Sequence, residues 1–326
     1  MSGRLDFRNF SDVFGNGDTL PYDAHVNRDI ESKRKSLGGV LFVDRVFTAL
    51  GIPKVKIYPP KDTRTLHDLF QQILASKMTT HHKLSALYYL LLDHDEGLSA
   101  RSKIADNFAA QTGMPKRYQI FMSGLWHMDR LQFGVAVEYL AHPSLLPEFA
   151  DNIITVLVRH AENNDYALPL AYYAAVQPVL KTQEAVELLF EALARTDVSE
   201  AFYYTRTLAG PARQQLFEHL VGSVLKDAAG GGSGGGGGGA SSSADGIDAA
   251  GRSAELISLP LDAQEEAWLR AYLTAGEGRK LKRAKDTMIM KKIVSGDVDL
   301  SEGSKSLSGP WGIVLQGFRH ETGGEP

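Results

Sequence analysis

An all-α chain built from short helical hairpins is the fold class this sequence predicts, and three observations carry it. Apolar residues recur at helical spacing in window after window from Asp62 to Lys226. Helix-capping residues stand where those windows begin, and glycine or proline where they end. The one brief alternation, Lys54-Val55-Lys56-Ile57-Tyr58, runs into Pro59-Pro60 and reads as an extended connector, not a central strand. The architecture expected is therefore an irregular α-solenoid, a helical-hairpin repeat domain with extended termini. No fixed-period signature recurs, so an ankyrin or tetratricopeptide label has no support.

Residues 1–61 read as an extended leader with one short helix, since only Val40 to Leu50 has helical apolar spacing. The leader is too small for a core of its own and is expected to lie on another surface. A helical domain follows over residues 62–227. In it Leu66, Leu69, Phe70 and Ile73 form one stripe, and Leu84, Leu87, Tyr88 and Leu91 form the next, so these positions are assigned to the core. Gly113 ends a helix bearing Ile104 and Phe108, and Pro115 starts the one bearing Tyr118, Phe121 and Leu125.

The centre of the chain is Ser123-Gly124-Leu125-Trp126-His127-Met128-Asp129-Arg130. Trp126 is expected to close one helix as a buried ring, and Asp129 to cap the next, along which Phe133, Ala136, Val137 and Leu140 recur. Pro147 is expected to open a helix with Ile153, Val156 and Leu157, Asp165 to cap another, and Asp197 with Glu200 to cap the helix that buries Phe202. Pro211 opens the last helix of this domain. Short loops between antiparallel neighbours give about nine helices.

Residues 228–255, with nine glycines between Gly230 and Gly239, read as a Gly/Ser-rich flexible loop. Residues 256–296 supply further helices of the same domain: Asp262 and Glu265 form a capping box ahead of Trp268, Leu269, Tyr272 and Leu273. Residues 297–326 form a flexible tail holding one apolar peptide. Its residues Trp311, Ile313, Leu315 and Phe318 are the candidate partner-binding anchors, because so short an apolar run forms no core.

With 43% hydrophobic residues the chain can bury a sizeable core. Its net charge of −4, from 35 basic and 39 acidic side chains, predicts no overall nucleic-acid or anionic-membrane surface. The absence of cysteine excludes disulfides, thiolate zinc sites and cysteine nucleophiles, and favours a reducing compartment. No apolar window is long enough for a membrane span. A soluble, intracellular protein is expected.

No catalytic, cofactor or metal site is assigned. The literal G-x-S-x-G at Gly231–Gly235 lacks a strand-turn-helix context and reads as an artefact of composition, while His81-His82 with Asp93-His94-Asp95 offers no i, i+4 pair and reads as solvated helix ends. His127 reads as a hydrogen-bonded structural histidine, and each of the pairs Tyr88-Tyr89, Tyr172-Tyr173 and Tyr203-Tyr204 as one core and one rim residue. The basic run from Arg279 to Lys292 is read first as a solvated helix face; an import signal and a nucleic-acid contact are the other readings.

In order and combination, several stretches resemble the ELYS-like nuclear pore assembly domain in its short fungal form. They are Asp68-Leu69-Phe70, Lys83 to Asp93, Gly124 to Asp129, Ala136 to Pro143, Glu200 to Arg206, and Leu259 to Glu266, together spanning Asp62 to Gly296. The resemblance implies a non-enzymatic, all-helical scaffold nucleoporin of the Y-shaped outer-ring complex, located at the nuclear pore in the nuclear envelope. Its implied partners are scaffold nucleoporins, among them a β-propeller and a helical-stalk nucleoporin. Longer relatives add an N-terminal propeller and chromatin-binding AT-hooks. This sequence has no room for a propeller before Asp62 and no Arg-Gly-Arg-Pro, which argues against direct chromatin or DNA binding. A second reading is a scaffold subunit of another assembly, coat or proteasome-lid-like, or a helical accessory subunit of an enzyme.

Overall fold

The computed structural model describes residues 5–15, 20–52, 57–98, 103–230 and 244–294. Among these residues the regular structure is all-α: sixteen α-helices, two short 3-10 turns and no strand. The chain divides into two compact units, residues 1–181 and 182–326. The division falls inside the stretch 62–227 expected as one domain, and the helices after the glycine-rich segment belong with the second unit.

The first unit holds α1 (Phe10–Phe14), α2 (Ala24–Ser36), α3 (Phe42–Ala49), α4 (Thr63–Ala75), α5 (Thr80–Leu98), α6 (Ile104–Thr112), α7 (Lys116–Asp129), α8 (Phe133–Leu140), α9 (Ala150–Arg159) and α10 (Ala167–Val176). Helix α5 is its axis, packing against α3, α4, α6 and α7. Every residue from Leu84 to Leu91 is buried, so the helix behaves as one that is apolar all round. Tyr88 and Tyr89 are therefore both core, against the expectation of one core and one rim. Tyr172 and Tyr204 are buried beside half-buried Tyr173 and exposed Tyr203.

The leader carries three helices, not the one expected, and it lies on its own unit, one of the two surfaces, its own or a partner's, on which it was expected to lie. The Phe10 and Phe14 rings meet Phe70 of α4 edge-on at 5.4 and 6.1 Å. Leu41, Phe42, Val43 and Phe47 are buried where α3 contacts α5 and α7. Periodicity missed α2 because its charged run, Arg28 to Lys35, buries only Ile30 and Arg34. Further on, α9 begins at Ala150 rather than at Pro147, after a left-handed Phe149.

The second unit holds α11 (Gln183–Thr196), α12 (Val198–Thr205), α13 (Gly210–Gly230), α14 (Ala244–Ser258), α15 (Ala263–Thr274) and α16 (Ala284–Val294). Helix α13 packs against α11, α12, α14 and α15, and its Phe217 lies 6.3 Å from Phe202 and 6.2 Å from Trp268. Helix α14 occupies part of the expected loop 228–255. It is held because Leu256 and Ile257 are buried, Glu255 accepts from the Ser199 N–H and Oγ at 2.9 and 2.6 Å, and the Arg252 guanidinium donates to the Ala194 carbonyl. The rest of that loop, residues 231–243, lies outside the described residues.

Helices α7 and α8 meet closely at Gly124, where an added Cβ would fall 2.6 Å from Leu140 Cγ. Leu140 is itself buried and cannot swing away. Ala in a helix gains about 1 kcal/mol over Gly, whereas overpacking a tight contact costs roughly 1–3 kcal/mol. The expected result for Gly124→Ala is a net loss of up to about 2 kcal/mol in urea denaturation; a gain in stability would show that α7 and α8 are not in close contact there.

Candidate functional site

Two buried carboxylates organise the polar interior of the first unit. Asp129, the last residue of α7, accepts hydrogen bonds from the Phe42 and Val43 N–H groups at 2.6 and 2.9 Å and from the Tyr89 hydroxyl at 2.8 Å. It is a helix cap, as its residue type suggested, but the helix is α3, 87 residues earlier, and not α8. Residue Leu41 at the N-cap of α3 has no side-chain acceptor, so the orphan amides of α3 are met from outside. At α8 the N-cap is Gln132, which makes no side-chain cap bond.

Asp93, on α5, accepts from four donors: the Tyr22 and Tyr58 hydroxyls at 2.7 and 2.8 Å, the Trp126 indole N–H at 2.8 Å and Arg130 Nη2 at 2.7 Å. Both of its oxygens are thereby used twice. Trp126 is half-buried, not an enclosed core ring, because the Arg130 guanidinium stacks 3.6 Å from its centroid while the indole N–H reaches inward. Asp93 and His94 are buried rather than solvated, one half-buried leucine beyond the all-buried length of α5. Arg34 of α2 closes the arrangement: it pairs with Asp44 of α3 and donates to the Tyr58 carbonyl at 2.6 Å.

Burial pushes the hydroxyls of Tyr22, Tyr58 and Tyr89 far above the ordinary tyrosine range, and the neighbouring carboxylates push the same way, so they remain donors. For Arg130 burial works against the charge, but Asp93 and Glu96 outweigh it and hold the guanidinium protonated. Burial raises Asp129 to about 7, against the opposing pull of the Phe42 and Val43 amides. The Asp93 and Asp129 oxygens are each met by donors, which suits a staple between leader and body, and no group among them is positioned as a nucleophile.

A second polar cluster lies within residues 182–326. Buried Glu265 receives Arg206 at 2.7 Å and Arg213 at 2.5 Å, and completes its capping box with Asp262. Burial alone would raise the Glu265 carboxyl, yet the hydrogen bonds from Arg206, Asp262 and Arg213 bring it below its usual range. Arg206 also stacks 4.3 Å from the ring of fully buried Phe202.

Leu84, Leu87 and Leu91 are buried with Tyr88 in α5. His127 bonds Gln132 at 2.6 Å through Nδ1 and stacks on Tyr139. In the basic run, Arg279, Lys280, Lys282, Lys285 and Lys292 are exposed, while Lys291 donates to the Ile257 and Leu259 carbonyls. Trp311, Ile313, Leu315 and Phe318 lie outside the described residues. Sequence reasoning missed Tyr22, Tyr58, Asp93 and Arg130, whose partners are 33 to 71 residues away and leave no local periodic trace.

The outer surface carries one feature the sequence shows only in hindsight. From Tyr166 to Leu180 there is no charged residue, yet Leu168 and Val179 are exposed on and beside α10, as are Val135 and Tyr139 of the adjoining α8. These four side chains form the largest grouping of exposed apolar residues on and beside neighbouring helices among the described residues.

Residues 40–276 match the ELYS family, described as "Nuclear pore complex assembly". The match begins at α3, earlier than the Asp62 boundary read from the sequence, and so includes the helix that Asp129 caps. The chain is also 29% identical over 224 residues to "Uncharacterized protein ely5" of Schizosaccharomyces pombe, covering 68% of this chain and 71% of that protein.

The raised Asp129 gives a pH dependence with a definite sign. A carboxyl ordinarily near 4 and raised to about 7 in the fold contributes stability that is complete below about pH 4 and is lost as pH rises through about 7. Asp129→Asn keeps an acceptor and cannot ionise. The stability of the native chain minus that of D129N should therefore fall between pH 4.5 and 7.5 in paired urea titrations; a difference that stays flat or grows would show Asp129 to be ionised throughout.

Proposed function

The chain belongs to the ELYS nuclear pore complex assembly family, and from that membership we propose that it is a structural scaffold nucleoporin of the Y-shaped outer-ring complex. In this reading it sits at the nuclear pore in the nuclear envelope and binds other scaffold nucleoporins, including a β-propeller and a helical-stalk subunit. The family is one of pore assembly, not of enzymes. Among the described residues no helix is long and apolar enough to cross a membrane.

The observation that carries the reading, beyond the family match, is the uncharged stretch around α10, which exposes Leu168 and Val179 beside Val135 and Tyr139 of α8. A solvated protein has no use for fifteen consecutive uncharged residues that expose Leu168 and Val179, whereas a subunit held by neighbours does. The tail residues Trp311 and Phe318, with Ile313 and Leu315, are proposed as a second tether, an extended peptide docking onto the propeller subunit.

Affinity purification of the tagged chain from native extract tests this. Outer-ring nucleoporins should co-purify, and Leu168→Asp with Val179→Asp should deplete them by about tenfold or more without lowering the melting temperature, since both side chains are exposed. A tagged chain that brings down no nucleoporin ends the scaffold reading. If Trp311→Ala with Phe318→Ala leaves the propeller's recovery unchanged, the tail is not the tether and the helical body carries the interface.

A further inference from the structure

The unit of residues 1–181 holds a second concavity that the buried carboxylates do not use, an open groove of about 120 Å³. It lies among α3, the first turns of α5 and α7, and the turn 142–149, and shares no lining residue with the α8–α10 face. Its apolar surface comes from Val46, Leu50, Tyr118, Phe121, Met122 and Phe149. The rings of Phe121 and Phe149 stack at 6.2 Å with 10° between their planes. Phe149 is held at φ 56°, a left-handed conformation that a bulky side chain rarely adopts and that costs of order 1–3 kcal/mol. Leu146 at the edge of the groove is 73% exposed. The backbone thus accepts strain to place one aromatic ring in a cleft and leaves a leucine in water beside it.

Exposed cations stand at the groove and next in the chain to it. Arg117 lines it, Lys116 and Lys77 adjoin lining residues Arg117 and Met78 in the chain, and all three are exposed. His81 stacks on lining Tyr118 at 5.5 Å. Arg117 contacts only the Tyr118 side chain, and Lys116 the Gln119 amide; neither these two nor Lys77 has a carboxylate partner among the described residues. Against them stands one lining carboxylate, Glu148. The whole chain is net negative, so a local excess of unpaired cations around an apolar cleft is not a reflection of composition.

We propose that this groove binds a short acidic peptide segment of a partner protein, which inserts one bulky apolar side chain among Tyr118, Phe121 and Phe149. Carboxylates flanking that side chain face the Lys77, Lys116 and Arg117 edge. The apolar part supplies affinity by burying the anchor, and the charges supply orientation and choice of partner. A nucleic acid would meet the cations with its phosphates, but Phe121 and Phe149 already stack on each other and the aliphatic part of the floor offers a base nothing, so a peptide is the occupant argued and the oligonucleotide is the competing outcome of the test.

Fluorescence polarisation with the full chain decides this. The probe is a labelled peptide with a Leu-Phe pair flanked by three glutamates on each side; controls replace the glutamates with lysines, replace Leu-Phe with Ala-Ala, or use a single-stranded oligonucleotide. The glutamate probe should bind, and each control should bind about tenfold more weakly or not at all. Arg117→Glu and Leu146→Asp, both at exposed positions, should each weaken the glutamate probe to a similar extent while the circular dichroism spectrum and melting temperature stay unchanged. Equal binding of the lysine or alanine peptide, preference for the oligonucleotide, no binding of the glutamate probe, or native-like binding by both variants would each overturn the proposal.

Discussion

The carboxylate of Asp129 is the contact on which the first unit depends. It ends one helix and caps another, so that the last turn of α7 and the first turn of α3 share one side chain. An uncapped helix start in a buried position would leave backbone N–H groups without partners, at a cost comparable to the whole contribution of several surface contacts. Once α3 is fixed at that point, Asp44 on its first turn is placed to receive Arg34, and Arg34 in turn holds the Tyr58 carbonyl. The leader is therefore bound by a chain of oriented bonds as well as by its apolar residues. This is why a segment too small for a core of its own is nonetheless part of one.

The same geometry explains the unusual sequence of α5. A helix with one neighbour needs one apolar stripe, and Leu84, Leu87, Tyr88 and Leu91 supply it. Helix α5 has four neighbours, and the residues between those positions, Ser85, Ala86, Tyr89 and Leu90, are buried as well. Most of its buried polar members are answered, His94 Nε2 being the exception. Tyr89 donates to Asp129, Ser85 donates to the His81 carbonyl within the helix, and Asp93 receives four donors. The three tyrosines around Asp93 and Asp129 also meet ring to ring, Tyr22 with Tyr58 at 5.9 Å and Tyr58 with Tyr89 at 6.0 Å, both near perpendicular.

How much of this could be read from the sequence follows from the range of the forces involved. The all-α class was legible because helical apolar spacing is written within each segment, and capping residues were legible by type. Asp197, Asp165 and Asp262 accept from the amides of the helices that follow them, a local event. Asp129 has the same chemistry, but its recipient is 87 residues away, and no local pattern distinguishes the two cases. Helix α2 was missed because its exterior is almost wholly charged, and α14 because neighbouring glycines set the composition of the window. The Asp93 cluster was missed because its members come from the leader, α5 and α7. The groove edged by Arg117 escaped notice for the same reason.

Why the interior of such a subunit should rely on buried carboxyl side chains is a question of selectivity more than of strength. Apolar residues of similar volume in place of Asp93 and Asp129 could be as stabilising, since the cost of removing a carboxylate from water is large and must be offset donor by donor. An apolar contact, however, tolerates sliding and rotation of one helix on another. A carboxylate that must meet two successive backbone amides and a phenol accepts α3 in one register and one orientation only. The α3 residues Val46, Ala49 and Leu50 then line the groove on the far end of that helix. A shift of α3 by a single turn would carry them about 5.4 Å along its axis and away from Phe121 and Phe149. The buried cap thus fixes, at one end of a short helix, the shape of the surface that the other end presents.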